Sequence, residues 1–252
     1  MTDKIEEKFV EMSLGDHLEE LRTRLILAII GLVVSLVVCM FFSRFFLSLM
    51  AKPYLYALQQ AGMKPMLQAI TLSEKFMVYM KTALLFGVVF SSPWIIYHLW
   101  KFISAGLYPK ERKLVHIITP VCASLFIAGA AFYLFLIAPM VIKFFVSFDT
   151  GINFVQTQVT LASYINFMFS MTLVFALTFQ MPIAIVAANW IGIVSLENLR
   201  KARKYVLLAI FIIAAIVTPP DVISQIALAV PLYVLYELAI VFCVLTNRKS
   251  QL

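Results

Sequence analysis

Six long apolar runs, set apart by short charged or proline-bearing segments, restrict this chain more than any other feature. They cover 25–49, 76–100, 114–142, 161–193, 205–217 and 222–245. A helix needs about 20 apolar residues to cross roughly 30 Å of hydrocarbon. The expected fold is therefore all-α: a polytopic membrane protein with six transmembrane helices, N-in and C-in, with short fifth and sixth helices and outer loops that form a cap. The chain divides into an N-terminal segment with a short amphipathic helix (1–24), a six-helix membrane domain (25–245) and a tail (246–252). Composition agrees, with 63% of residues hydrophobic and 13% charged, against nearly half and about a quarter in soluble domains.

The first residues, Met1-Thr2-Asp3-Lys4-Ile5-Glu6-Glu7-Lys8, are mixed in charge and lack the basic start and cleavage site of a secretory signal. Orientation follows from lysine and arginine. Lys4, Lys8, Arg22 and Arg24 precede the first run; Lys101, Lys110, Arg112 and Lys113 follow the second. Arg200, Lys201, Arg203 and Lys204 precede the fifth, and Arg248 and Lys249 follow the sixth. The remaining six cations are spread over the longer loops of the other side. Both termini are expected in the cytoplasm, and the net charge of +7 reads as a topology signal and not as a nucleic-acid surface.

The fifth run has 13 residues, which at about 1.5 Å per residue reach roughly 20 Å. Thr218-Pro219-Pro220-Asp221 stops it, because neither proline continues a helix and Asp221 can cap the next one. The fifth and sixth runs are either a re-entrant hairpin or a short membrane-crossing hairpin in a thinned bilayer. The second reading is favoured because basic segments flank both outer ends.

Several chemistries have no residues to carry them. There is no HExxH helix, no GxSxG elbow and no glycine-rich phosphate loop. His17, His98 and His116 are far apart, and Cys39, Cys122 and Cys243 form no CxxC pair. No cofactor or metal is expected, and no catalytic residue. A small-molecule secondary transporter remains a rival, with Lys81 and Glu237 as its intramembrane charge pair.

Four segments narrow the choice. His17-Leu18-Glu19-Glu20-Leu21-Arg22-Thr23-Arg24-Leu25 precedes the first run. Trp100-Lys101-Phe102-Ile103 continues through Gly106-Leu107-Tyr108-Pro109-Lys110-Glu111-Arg112-Lys113. Phe179-Gln180-Met181-Pro182 interrupts the fourth run. Leu199-Arg200-Lys201-Ala202-Arg203-Lys204-Tyr205 is followed by Thr218-Pro219-Pro220-Asp221-Val222-Ile223-Ser224-Gln225. Together, in this order, they resemble the TatC family, the multispanning signal-peptide receptor of the twin-arginine protein translocase.

The resemblance implies a protein-transport receptor and not an enzyme. It implies twin-arginine signal peptides bound at the cytoplasmic face, for export of folded proteins from a bacterial inner membrane. Its implied partners are single-span subunits of the TatA and TatB types, membrane lipids and further copies of the chain. Glu20 and Glu111 would receive the two arginines, with Leu21, Arg22 and Phe102 beside them. A guanidinium fork matches a carboxylate bidentately, and acids are scarce on this basic face. The plainer readings are an i,i+4 pair of Glu20 with Arg24, a helix first-turn charge at Glu111 and an interfacial anchor at Phe102.

Gln180 and Pro182 would form a polar notch in the fourth span, since Pro182 frees the carbonyl of Thr178. By resemblance the notch receives a partner helix; otherwise a Ser or Thr of a neighbouring span satisfies Gln180. Pro53, Lys81 and Asp221 match family positions, though a turn, a snorkelling cation and a cap account for them. Glu237 needs a partner the sequence does not identify.

Overall fold

The computed structural model describes residues 14–105, 109–148, 159–190, 192–217 and 222–249. The helices are α1 (Leu14–Phe41), α2 (Ser43–Gln60), α3 (Glu74–Ala105), α4 (Pro109–Phe132), α5 (Ala138–Ser147), α6 (Leu161–Thr178), α7 (Met181–Trp190), α8 (Leu196–Val217) and α9 (Val222–Lys249). No strand occurs among the described residues beyond one bridged pair, Gln68 and Thr160. Among the described residues, five stretches are long and apolar enough to cross a membrane: Leu18–Phe41, Glu74–Ser104, Ile118–Ser147, Leu161–Trp190 and Val222–Leu245.

Several boundaries differ from the sequence expectation, each for a local reason. The first run is two helices. The chain breaks at Phe42, and Ser43 Oγ turns back to the Cys39 carbonyl at 3.1 Å. Residues 43–49 thus belong to α2, which carries Pro53 in its interior and not in a turn. The fourth run also breaks, into α6 and α7 at Phe179–Gln180, because Pro182 offers no N–H to continue the ladder.

The fifth helix is not short. It begins at Leu196, where Ser195 Oγ accepts the Asn198 N–H at 3.2 Å as a cap. The basic segment 200–204 is therefore helical, and only the apolar part of α8 is confined to 205–217. The sixth is not short either: α9 runs 28 residues.

Prolines elsewhere are accommodated. Pro93 in α3 cannot bond the Val89 carbonyl; Ser92 Oγ donates to that oxygen instead, at 2.7 Å. Between α4 and α5 the ladder widens to a π-helical stretch, Tyr133–Ile137, where the Ala138 N–H reaches Tyr133. Pro139, one residue on, has no donor for Phe135, and a wider i→i−5 turn tolerates that loss.

Packing is antiparallel between α1 and α3, α3 and α4, α4 and α6, and α8 and α9, as cross-helix contacts show. Gln225 reaches the Phe211 carbonyl and Tyr236 the Leu199 carbonyl. The core gathers Met50, Leu85, Tyr133, Ile165, Met168, Phe175, Ile210 and Leu228, all nearly inaccessible. Where lipid is as apolar as leucine, close fit and interhelical hydrogen bonds supply the attraction between helices. Hence Tyr164 Oη donates to the Met50 carbonyl, tying α6 to α2 at 2.5 Å. Along α1, Ile29, Ile30, Val33, Val34, Val37 and Val38 remain about half exposed, an apolar face suited to hydrocarbon.

Candidate functional site at the basic end of the bundle

The position of the N-terminal acid is set by how α1 lies against α3. Trp94 Nε1 donates to the Leu27 carbonyl at 2.8 Å, and Ser35 Oγ donates to the Gly87 carbonyl at 3.0 Å. Glycines allow this approach. A Cβ on Gly31 would sit 2.2 Å from Trp94 Cδ1, and one on Gly87 would sit 3.1 Å from Leu36 Cα. This antiparallel register, carried one and two turns toward the N-terminus of α1, brings Arg24 level with His98 and Glu20 level with Phe102.

At that end Glu20 Oε1 accepts from Arg24 Nη2 at 3.2 Å, and the two side chains are only 22% and 20% exposed. The plain i,i+4 pairing is thus present, and it engages one carboxylate oxygen. Leu21 and Arg22 are exposed, and Phe102 is half-buried on α3. Glu111 falls in the first turn of α4, which starts four residues after α3 ends at Ala105. Its side chain lies outside the described residues. The backbone path alone returns Glu111 to the end of the bundle where Glu20 sits.

Sequence reasoning did not single out His98 or Trp94. His98 is buried, and neither ring nitrogen has a hydrogen-bond partner among the described residues. It packs edge-on to Trp94 and Tyr97, with centroids 4.6 and 5.3 Å away. The i,i+4 spacing of Trp94 and His98 places both on the face of α3 that meets α1, a signal readable only once that face is known.

Gln180 turns inward. Its Nε2 donates to the Cys122 carbonyl of α4 at 3.0 Å, while Trp100 Nε1 of α3 meets Cys122 Sγ at 3.1 Å. The amide donor is therefore paired within the chain by a backbone carbonyl, and not by the Ser or Thr that the alternative to a partner helix would supply. Gln180 is half-buried, as is Pro182 in the first turn of α7. Thr178 Oγ1 folds back on the Val174 carbonyl at 2.7 Å.

The charge pair required by a transporter does not form. Lys81 Nζ donates to Asn166 Oδ1 at 2.5 Å, on the exposed side of α3 and α6. Glu237 Oε2 instead meets Arg203 Nη2 at 2.7 Å, joining α9 to the basic start of α8. Glu237 thus has its partner in the basic segment that precedes the fifth apolar run. Asp221 lies outside the described residues.

At the opposite end one acid was missed. Glu74 accepts from Ile70 N at 2.7 Å, Thr71 N at 3.2 Å and Ala162 N at 2.7 Å. It closes the segment 61–73 over the start of α6, beside the Leu161 N–H to Gln68 carbonyl bond at 2.8 Å. Thr71-Leu72-Ser73-Glu74 has the spacing of a capping box, which was the available signal. No group of three or more His, Cys, Asp or Glu side chains able to hold a metal occurs among the described residues.

Comparison with known proteins agrees with this architecture. The family described as Sec-independent protein translocase protein (TatC) matches residues 16–231. The chain is 37% identical to the Sec-independent protein translocase protein TatCy of Bacillus subtilis (strain 168), over 97% of this chain and 93% of that protein. It is 35% identical to the Sec-independent protein translocase protein TatC of Escherichia coli (strain K12), over 90% of this chain and 86% of that protein. A crystal structure of the twin-arginine translocase receptor TatC superposes with a TM-score of 0.77 at 30% identity, over 92% of this chain and 99% of that one. With its helices, their order and its segment 16–231 all in agreement, the chain belongs to the TatC family of Sec-independent protein translocases.

Proposed function

We propose that this chain is the receptor subunit of a twin-arginine translocase, and that Glu20 and Glu111 bind the paired arginines of a signal peptide. The observation that carries this reading is the placement of Glu20. It stands at the basic end of α1, level with Phe102, and the backbone returns to the same end within four residues of α3 to place Glu111. Glu20 is also only partly engaged, with one oxygen on Arg24, so a guanidinium arriving from water has a carboxylate to bind. Buried charged hydrogen bonds of this kind are about twice as strong as neutral ones.

In this reading the basic end faces the cytoplasm of a bacterium and the chain resides in its inner membrane. The lysines and arginines near α1, α3, α8 and α9 support that orientation. Leu21, Arg22 and Phe102 border the bound peptide, whose apolar part packs on Phe102. Single-span partner subunits of the TatA and TatB types meet the kink at Gln180 and Pro182, and the complex holds more than one copy of the chain. The kink is supported as a contact point because the backbone there is interrupted and the adjoining Leu177 is 62% exposed.

The test is crosslinking of a photoreactive twin-arginine signal peptide in membranes, with Glu20→Gln and Glu111→Gln. Each variant is expected to lose most of the crosslink. Retention of normal capture by both would overturn the assignment. Cysteine labelling at Leu21 and Ile70 from either side of the membrane checks the orientation, with Leu21 accessible from the cytoplasm.

A further inference from the structure

We infer that His98 is a positioning residue for the arginine-binding acid, accepting Arg24 when an incoming guanidinium takes Glu20 away from it. The inference rests on the receptor reading of Glu20. Before a ligand binds, Arg24 Nη2 occupies Glu20 Oε1 at 3.2 Å. A peptide arginine that claims both carboxylate oxygens displaces it. Arg24 is mostly buried, so a guanidinium stripped of the one anionic partner it has among the described residues is costly, and the cost opposes binding of the ligand.

The structure holds an acceptor that is already in place. The Trp94–Leu27 and Ser35–Gly87 bonds fix the α1–α3 register so that Arg24, one turn before Leu27, faces His98, one turn after Trp94. His98 is 4% exposed and both its ring nitrogens lack a hydrogen-bond partner among the described residues; Arg24 Nε is likewise buried and unpartnered. Buried polar groups are nearly always paired in a folded interior, yet Arg24 Nε and the His98 ring nitrogens stand unpartnered among the described residues, at one level of two packed helices. A neutral imidazole has one acceptor nitrogen, which suits an arginine N–H. Rotation of the Arg24 side chain from Glu20 toward α3 would give that acceptor nitrogen a donor. Lys101, one turn beyond, is held at Tyr97, with its Nζ 3.3 Å from the hydroxyl, so it does not occupy His98.

Purified protein in lipid nanodiscs and a fluorescent twin-arginine peptide provide the test. His98→Leu is expected to weaken binding about tenfold, and His98→Gln, which keeps an acceptor, to stay within about threefold of the parent. The distinguishing measurement is a double-mutant cycle. His98→Leu should add no further loss in an Arg24→Gln background, where no displaced charge needs a home. A merely structural His98 would lower affinity equally in both backgrounds, and that result overturns the inference. If Glu20→Gln itself leaves binding unchanged, the receptor reading fails first. If Glu20→Gln weakens binding but His98→Leu does not, only the role of His98 is lost.

Discussion

Trp94 holds α1 in place by donating its indole N–H to the Leu27 carbonyl across the helix pair, at 2.8 Å. The bond is possible because Gly31 leaves room for the ring, and it sets the height of Glu20 in the bundle. Two substitutions separate the hydrogen bond from the fit. Trp94→Phe removes the donor and keeps much of the ring, so a loss of about 1 kcal/mol is expected. Gly31→Leu places atoms where the indole lies and should cost about 2 kcal/mol or more by overpacking. Thermal unfolding of the two variants in one detergent checks the order; equal effects would show that the ring does not need Gly31.

Gln180 joins the kinked α6–α7 segment to α4 through the Cys122 carbonyl. Gln180→Leu should lower stability by about 1 kcal/mol, the usual net value of such a bond. Gln180→Glu sets an acceptor against an acceptor when ionised, and should be the more damaging of the two at neutral pH. Denaturation midpoints for both variants decide the matter. A Glu variant as stable as the parent would mean that the carboxyl is protonated or has turned outward.

The Arg203–Glu237 pair is partly open to solvent, with side chains 46% and 31% exposed. Screening reduces what such a pair contributes, so Glu237→Gln is expected to cost under about 1 kcal/mol. Export activity should survive this change and Lys81→Gln, singly and together. Loss of export in the double variant alone would revive a coupled Lys81–Glu237 role that the two separate partnerships argue against.

Glu74 anchors three backbone N–H groups at the opposite end. Glu74→Gln leaves one acceptor oxygen in place of two and cannot serve both Ala162 and Ile70. Hydrogen exchange should quicken at Ile70, Thr71 and Ala162. Leu161, whose N–H is held by the Gln68 carbonyl, serves as the internal control. Equal acceleration at Leu161 would mean that the whole cap loosens and not the carboxylate clamp alone.

The apolar runs and the basic segments between them made the fold class and most helix positions legible, because hydrocarbon thickness and charge placement act on sequence directly. Helix ends were less legible. Phe42 gives no residue-level warning of the break between α1 and α2, and the Ser195 cap hides in a segment that reads as a charged loop. The site was legible in part. Glu20 and its i,i+4 neighbour Arg24 can be paired on paper, since both lie on one helix face. The partners of Gln180, Lys81 and Glu237 cannot, because each lies on another helix at a height that only packing sets.

The sequence by itself determined that this is an all-helical membrane chain with the segments of a TatC protein in their order. Run length against bilayer thickness, and local motifs, carry that information without reference to distant residues. Tertiary structure alone decided that Arg24 lies level with a buried His98 whose ring is unpartnered among the described residues, that Arg203 and not Lys81 takes Glu237, and that Glu74 closes the opposite end. Those outcomes depend on the register between helices, which close contacts at Gly31 and Gly87 fix and which no periodicity along one strand of sequence encodes.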